Sequence, residues 1–340
     1  MTESPSGGFS RRRFLTGTGA IGALALAGCV QNTGSGSDGS DGSGSDGSGS
    51  DGSGSDGLSG QVIIKGSSTV FPISDTMAEE FMKEHENVNV TVDSTGSGGG
   101  FENWFCPGDS DVNGASRPIT DAEVEQCSSN DVEPVEFEIA GDALTVAVNN
   151  DADWVDCLTF DELRQIWSDE EDVTNWSDVR DEWPDMAIER YGPASTSGTF
   201  DYFNENVVGE DTEHTTEYQP TEEDETIVQG IRDNEGGIGY FGFAYYNSNS
   251  EAVKAVDVKV EDGDECSSPS LANAKDGSYP LARPLFLYVA ESALQSEEVY
   301  EFIRFYLEQA ETDVVQEIGY VPSSPEQRDE NLEKLDEIAG

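Results

Sequence analysis

The chain has 340 residues, of which 17 are basic and 70 acidic, for a formal net charge of −53. So negative a surface excludes a nucleic-acid partner, whose phosphates are bound by clustered Lys and Arg. The acids lie dispersed in patches such as Asp169-Glu170-Glu171-Asp172 and Glu222-Glu223-Asp224-Glu225, which read as a halophilic surface rather than as metal ligands, since at roughly 1 M salt the Debye length falls to about 3 Å and self-repulsion is screened.

Ser10-Arg11-Arg12-Arg13-Phe14-Leu15 resembles a twin-arginine export signal, and the apolar run at 21–27 behind it is too short to span a bilayer. Leu26-Ala27-Gly28-Cys29 looks like a lipobox, in which Cys29 becomes the lipid-modified first residue once residues 1–28 are removed. That removal takes away Glu3 and three arginines and leaves a net charge of −55. Residues 29–60 are largely Gly-Ser-Asp repeats with almost no apolar side chain to offset the entropy of ordering them. They are expected to form a disordered tether reaching roughly 30 Å. The localisation expected is export, with lipid anchoring at the outer face of the cytoplasmic membrane.

About 280 residues follow, enough for two lobes of ordinary domain size. Strands are predicted at 62–65, 88–92, 143–148, 238–243, 255–260 and 285–289, and helices at 160–167 and 226–233. The clearest helix is late, where Val299, Phe302, Ile303, Tyr306, Leu307 and Ala310 recur at helical spacing. The alternation argues for an α/β fold with largely parallel sheets, whose ligand would sit where strands end and helices begin. Three such junctions carry hydroxyl-rich turns: Gly66-Ser67-Ser68-Thr69-Val70-Phe71-Pro72, Ser94-Thr95-Gly96-Ser97-Gly98-Gly99-Gly100 and Ala194-Ser195-Thr196-Ser197-Gly198-Thr199-Phe200. Ser and Thr are ordinary helix caps, but three such turns converging would surround one oxyanion with neutral donors and unpaired backbone N–H groups.

Besides Cys29 the chain has Cys106, Cys127, Cys157 and Cys266. An even count in an exported protein favours disulfides, and four cysteines allow three pairings. The favoured pairing joins Cys106 with Cys127, close in sequence, and Cys157 with Cys266. A zinc site is disfavoured, because no CxxC pair is present and only His85 and His214 could add ligands. No metal or cofactor is expected.

The first two turns, with Asn113-Gly114-Ala115-Ser116-Arg117-Pro118 and Ser197-Gly198-Thr199-Phe200, in that order, resemble the phosphate-binding lipoprotein of the high-affinity phosphate ABC transporter. The resemblance runs from about Val62 to Pro322. It implies a two-lobed periplasmic-binding-protein fold of type II, closing on phosphate in the cleft and delivering it, as a monomer, to the permease subunits. On that basis residues 61–143 and 284–340 form one lobe and 144–283 the other. Thr69, Val70 and Phe71 would offer hydroxyl or backbone donors from the first loop, Ser97 from the second, and Ser197, Gly198 and Thr199 from the opposite lobe. Where the family pattern has a proton-accepting aspartate after Gly-Ala-Ser this chain has Arg117, and where it has an arginine upstream of Ser-Gly-Thr this chain has Pro193. Arg117 is therefore the expected charged clamp, and Asp142 the candidate proton acceptor. The alternatives are a receptor for sulfate or molybdate, an exported phosphatase, and a surface phosphate sensor. A phosphatase would need metal ligands or an activated nucleophile, and neither is evident.

Overall fold

A computed structural model describes residues 57–339 apart from 171, 210 and 211. The export signal, Cys29 and nearly all of the tether lie outside the described residues. Thirteen strands occur in chain order: β1 (Ser59–Gly66), β2 (Asn87–Ser94), β3 (Val112–Ala115), β4 (Pro134–Ala143), β5 (Thr145–Asn149), β6 (Cys157–Thr159) and β7 (Glu189–Pro193) come first. They are followed by β8 (Gln219–Thr221), β9 (Gly237–Phe241), β10 (Val253–Ala255), β11 (Asp257–Lys259), β12 (Ala282–Ala290) and β13 (Val321–Pro322).

Two main sheets define two lobes. The first has strand order β13-β4-β12-β3-β1-β2 and the second β10-β5-β9-β7-β8, with a small β11-β6 ladder beside it. The sheets are mixed rather than largely parallel. β1 runs parallel to β2 and β3, whereas β12 is antiparallel to both β3 and β4. In the second sheet β7 is parallel to β8 and β9, while β5 is antiparallel to β9 and β10. The antiparallel pairs arise because the chain crosses between lobes and returns, so the outgoing and incoming strands lie side by side. β4 ends at Ala143 and β5 starts at Thr145, which splits the predicted strand at 143–148 between the lobes. The return crossing enters β12 at Ala282, and Leu144 N–H donates to Leu281 O at 3.0 Å across the two crossings.

Local sequence explains the elements. In β1 Val62 and Ile64 are buried with exposed or half-buried residues between them, the period of a strand with one face on a core. Helix Phe71–Glu84 carries proline in its first turn and buries Ile73, Met77, Ala78 and Phe81. Helix Glu297–Gln309 buries Val299, Phe302, Ile303, Tyr306 and Leu307, the predicted face, against the same core. In lobe 2, β5 and β9 are buried at every position. A capping box of Thr159 and Glu162 starts helix Phe160–Trp167.

The disulfides are Cys106–Cys127 and Cys157–Cys266, the favoured pairing. The second closes a stretch of 109 residues within lobe 2. On the chain-entropy account a bridge of that span is worth about 5 kcal/mol. Replacing Cys157 and Cys266 by Ser should lower the unfolding free energy of lobe 2 by about that amount, read by Trp fluorescence during denaturation in molar KCl.

Candidate functional site

Five parallel strands deliver their following turns to one place between the lobes. Ser68 and Thr69 follow β1, Ser97 follows β2 and Ser116 follows β3, all from lobe 1. Ser197, Gly198 and Thr199 follow β7, and Asp224 follows β8, from lobe 2. Ser68, Thr69, Ser97, Ser116, Ser197, Thr199 and Asp224 are all buried. Thr69 Oγ1 and Thr199 Oγ1 stand 3.1 Å apart across the lobe boundary, and Ser97 Oγ and Ser116 Oγ lie 3.4 Å apart. Gly198 lies hard against lobe 1. A Cβ there would fall 2.4 Å from Ser97 Oγ and 2.7 Å from Ser116 Oγ, so any other residue requires those side chains or the lobes to shift.

The guanidinium in this cluster belongs to Arg283, at the start of β12. Its Nη2 donates to Thr69 Oγ1 at 3.2 Å, to Thr199 Oγ1 at 3.0 Å and to Asp142 Oδ2 at 2.9 Å, and its Nε reaches the same Oδ2 at 3.1 Å. Asp142 and Arg283 face each other in register on β4 and β12, at the two crossings between lobes. Both side chains are fully buried. Asp142 Oδ1 accepts from Phe243 N–H at 3.0 Å, so both of its oxygens are already engaged. This differs from the expected proton acceptor: Asp142 holds Arg283 in place. Arg283 Nη1 has no hydrogen-bond partner among the described residues.

Arg117, the expected clamp, is committed elsewhere. Its Nη1 and Nη2 donate to Glu123 at 2.8 Å each, and its Nε donates to Asp201 of lobe 2 at 2.6 Å. In a chain with few bases and many acids, an arginine at the rim of the cluster, its side chain 10% exposed, finds carboxylates first. Val70 and Phe71 also differ from expectation, because their N–H groups donate to Ser67 O at 3.1 and 3.0 Å within the turn. Of that trio only the Thr69 hydroxyl joins the cluster. The glycine-rich turn grips protein as well: Gly98 and Gly99 N–H groups donate to Thr196 O of lobe 2 at 3.0 and 3.4 Å. Gly96 there has φ of 75°, a conformation that favours glycine. Ser197 caps its helix, accepting from Thr199 N–H at 3.2 Å, while Gly198, as the first residue of that helix, leaves its N–H without an intrahelical partner.

Two carboxylates, one guanidinium fork and a ring of hydroxyls can bind a small tetrahedral oxyanion through neutral donors and one charge-assisted pair. His214 is buried against Trp167 and Phe200, and its ring nitrogens meet Thr215 O and Tyr240 Oη. Burial pushes its imidazole down to about 4. Among the described residues no group of His, Cys, Asp and Glu could hold a metal ion.

Two α/β lobes closing hydroxyl-rich turns over a buried arginine define a solute-binding protein of the two-lobed type. A family model described as a PBP superfamily domain matches residues 51–310. The chain is 39% identical over 323 residues to the phosphate-binding protein PstS of Staphylococcus haemolyticus, covering 94% of this chain and 96% of that one. It is 42% identical over 264 residues to protein SphX of Synechococcus elongatus, covering 77% of each. Among solved structures, a substrate-binding protein of Clostridium perfringens with bound phosphate matches at 28% identity and a TM-score of 0.66, covering 78% of this chain and all of that one. The chain therefore belongs to the PBP superfamily, and within it to the family of the PstS and SphX proteins.

Proposed function

We propose that this protein captures inorganic phosphate outside the cytoplasm and hands it to the permease subunits of an ABC transporter. The observation that carries the reading is the Arg283–Thr69–Thr199 cluster, in which one buried guanidinium binds hydroxyls of both lobes at once. The name of the Staphylococcus haemolyticus relative, a phosphate-binding protein, agrees. On this reading Thr69, Ser97, Ser197, Gly198 and Thr199 supply neutral donors and Arg283 supplies the positive charge. The crossings at 143–145 and 281–282 act as the hinge, and closure excludes water, so that each hydrogen bond strengthens in a lower local dielectric. The proposed lobes are 61–143 with 284–340, and 144–283. Export by the twin-arginine signal, lipidation at Cys29, the tether, a monomeric state and halophilic adaptation complete the proposal. Among the described residues no helix is long and apolar enough to cross a membrane.

Arg117 then acts as a clasp between the closed lobes, together with the Gly98 and Gly99 bonds to Thr196 O. The Arg117–Asp201 pair is partly exposed and so worth about 1 kcal/mol. Asp201→Asn should speed phosphate release about fivefold by stopped-flow fluorescence, with the association rate unchanged.

The function is tested by equilibrium dialysis of radiolabelled phosphate against the phosphate-stripped protein in molar KCl, with unlabelled sulfate as competitor. Saturation at one phosphate per chain, not displaced by sulfate and without hydrolysis of phosphate monoesters, is the expected result. Displacement by sulfate would reassign the ligand, and absence of binding would remove the reading.

A further inference from the structure

Two arginines are buried among the described residues, Arg283 and Arg190. Arg283 is paired with Asp142, whereas Arg190, on β7, donates to main-chain carbonyls: its Nε reaches Ile166 O at 2.6 Å and its Nη2 reaches Val173 O. Among the described residues no carboxylate forms an ion pair with it, and Nη1 donates to none of them. A guanidinium keeps its charge, so burying one without a counter-charge is costly. Burial disfavours the Arg190 charge, and Glu217 and Glu189 favour it in return. Both acids are exposed, and solvent weakens what they contribute.

Arg190 lines a polar pocket of about 180 Å³ in lobe 2, which shares no residue with the hydroxyl-rich turns of the cleft. Ser168 and Thr215, both buried, line it too. Ser168 Oγ has no hydrogen-bond partner among the described residues. Thr215 Oγ1 accepts from the Glu217 N–H at 3.1 Å, which leaves its own proton to donate. One permanent cation and two hydroxyls around one small space are the donor set of an anion site.

The mouth of the pocket decides which anion. Asp169, Asp172 and Glu217 line it and are exposed. Their carboxylates oppose a divalent oxyanion about twice as strongly as a monovalent ion, and molar salt screens the weaker repulsion. We infer that this pocket is a second anion site, selective for a monovalent halide such as chloride, held by Arg190, Ser168 Oγ and Thr215 Oγ1. The ion supplies the counter-charge that Arg190 lacks and bridges two segments that already touch through the Ser168–His214 strand bridge. It is a structural ion of lobe 2, whatever the cleft binds.

Bromide replaces chloride and is located by anomalous diffraction. Crystals of the protein grown with phosphate and soaked in molar KBr should show a bromide peak within hydrogen-bonding reach of Arg190 and Ser168 Oγ, distinguished by position from any peak beside Arg283. Water there instead, or phosphate, would overturn the inference. In solution, with phosphate in excess, chloride NMR line broadening should saturate and be displaced by bromide. The half-saturating chloride concentration should rise about tenfold in Ser168→Ala, the loss of one hydrogen bond to a charged group, and the broadening should vanish in Arg190→Gln. Ser168 Oγ has no protein partner to lose, so an unchanged half-saturation in Ser168→Ala would overturn the inference. A bromide peak without saturable broadening marks an adventitious ion only and overturns it as well. Should Arg190→Gln fail to fold, the bromide map and Ser168→Ala decide.

Discussion

Arg283→Ala is expected to weaken phosphate binding by about 10²–10⁴-fold, the largest effect of any single change in the protein. The substitution removes the buried guanidinium that joins Thr69 of lobe 1 to Thr199 of lobe 2, and it strips Asp142 of its partner. Breaking a buried pair from one side costs about 3–5 kcal/mol, because an uncompensated charge remains, and each 1.4 kcal/mol is about tenfold in affinity. Part of that cost falls on folding, so melting curves in molar KCl must accompany the binding curves. Arg283→Lys separates the two effects: it keeps the charge, loses the fork that engages three oxygens at once, and should recover stability more fully than affinity. Arg117→Ala, by contrast, removes a clasp at the edge of the cleft and should cost about tenfold or less. Equal losses from Arg283→Ala and Arg117→Ala would refute the division of roles between the two arginines.

Gly198→Ala is expected to weaken phosphate about 100-fold or more while leaving the melting temperature of the phosphate-free protein unchanged. The added methyl has no room, at 2.4 Å from Ser97 Oγ and 2.7 Å from Ser116 Oγ. Both serines belong to the lobe opposite Gly198, so the clash falls on closure rather than on the folding of either lobe. Both hydroxyls are buried, and Ser97 Oγ also accepts the Ser116 N–H at 3.1 Å, which limits how far they can yield. Small-angle scattering gives the direct readout: phosphate should compact the wild type and leave the variant extended. A variant that compacts normally would mean that Ser97 and Ser116 give way.

The three hydroxyl-rich turns were legible in the sequence because strand, polar turn and amphipathic helix follow one another with distinct periods. Their convergence needed only the rule that parallel strands present their carboxyl ends together. The charged centre was not legible. Arg283 and Asp142 lie 141 residues apart and meet only because β4 and β12 pair antiparallel in one register, which no local pattern announces. Strand β4 itself had a readable signal that the predicted strands omit: buried Val135, Phe137 and Ile139 alternate with exposed Glu136 and Glu138. Asp224 was hidden differently. It sits in the run Glu222-Glu223-Asp224-Glu225, which reads as solvated surface, yet helix Asp224–Asp233 turns it inward beneath Ser68. Arg117 misled for the opposite reason. Its scarcity as a base suggested a ligand, but it is Glu123 and Asp201 that hold it.

The central claim is that one phosphate sits between the lobes with Arg283 as its charged clamp. Anomalous diffraction from crystals grown in molar KCl with arsenate, which mimics phosphate in shape and protonation, tests it most directly. A single arsenic peak within hydrogen-bonding reach of Arg283, Thr69, Ser97 and Thr199 is the result expected. A peak beside Arg117 with Arg283 still bound only to protein, or no peak between the lobes, would contradict the account.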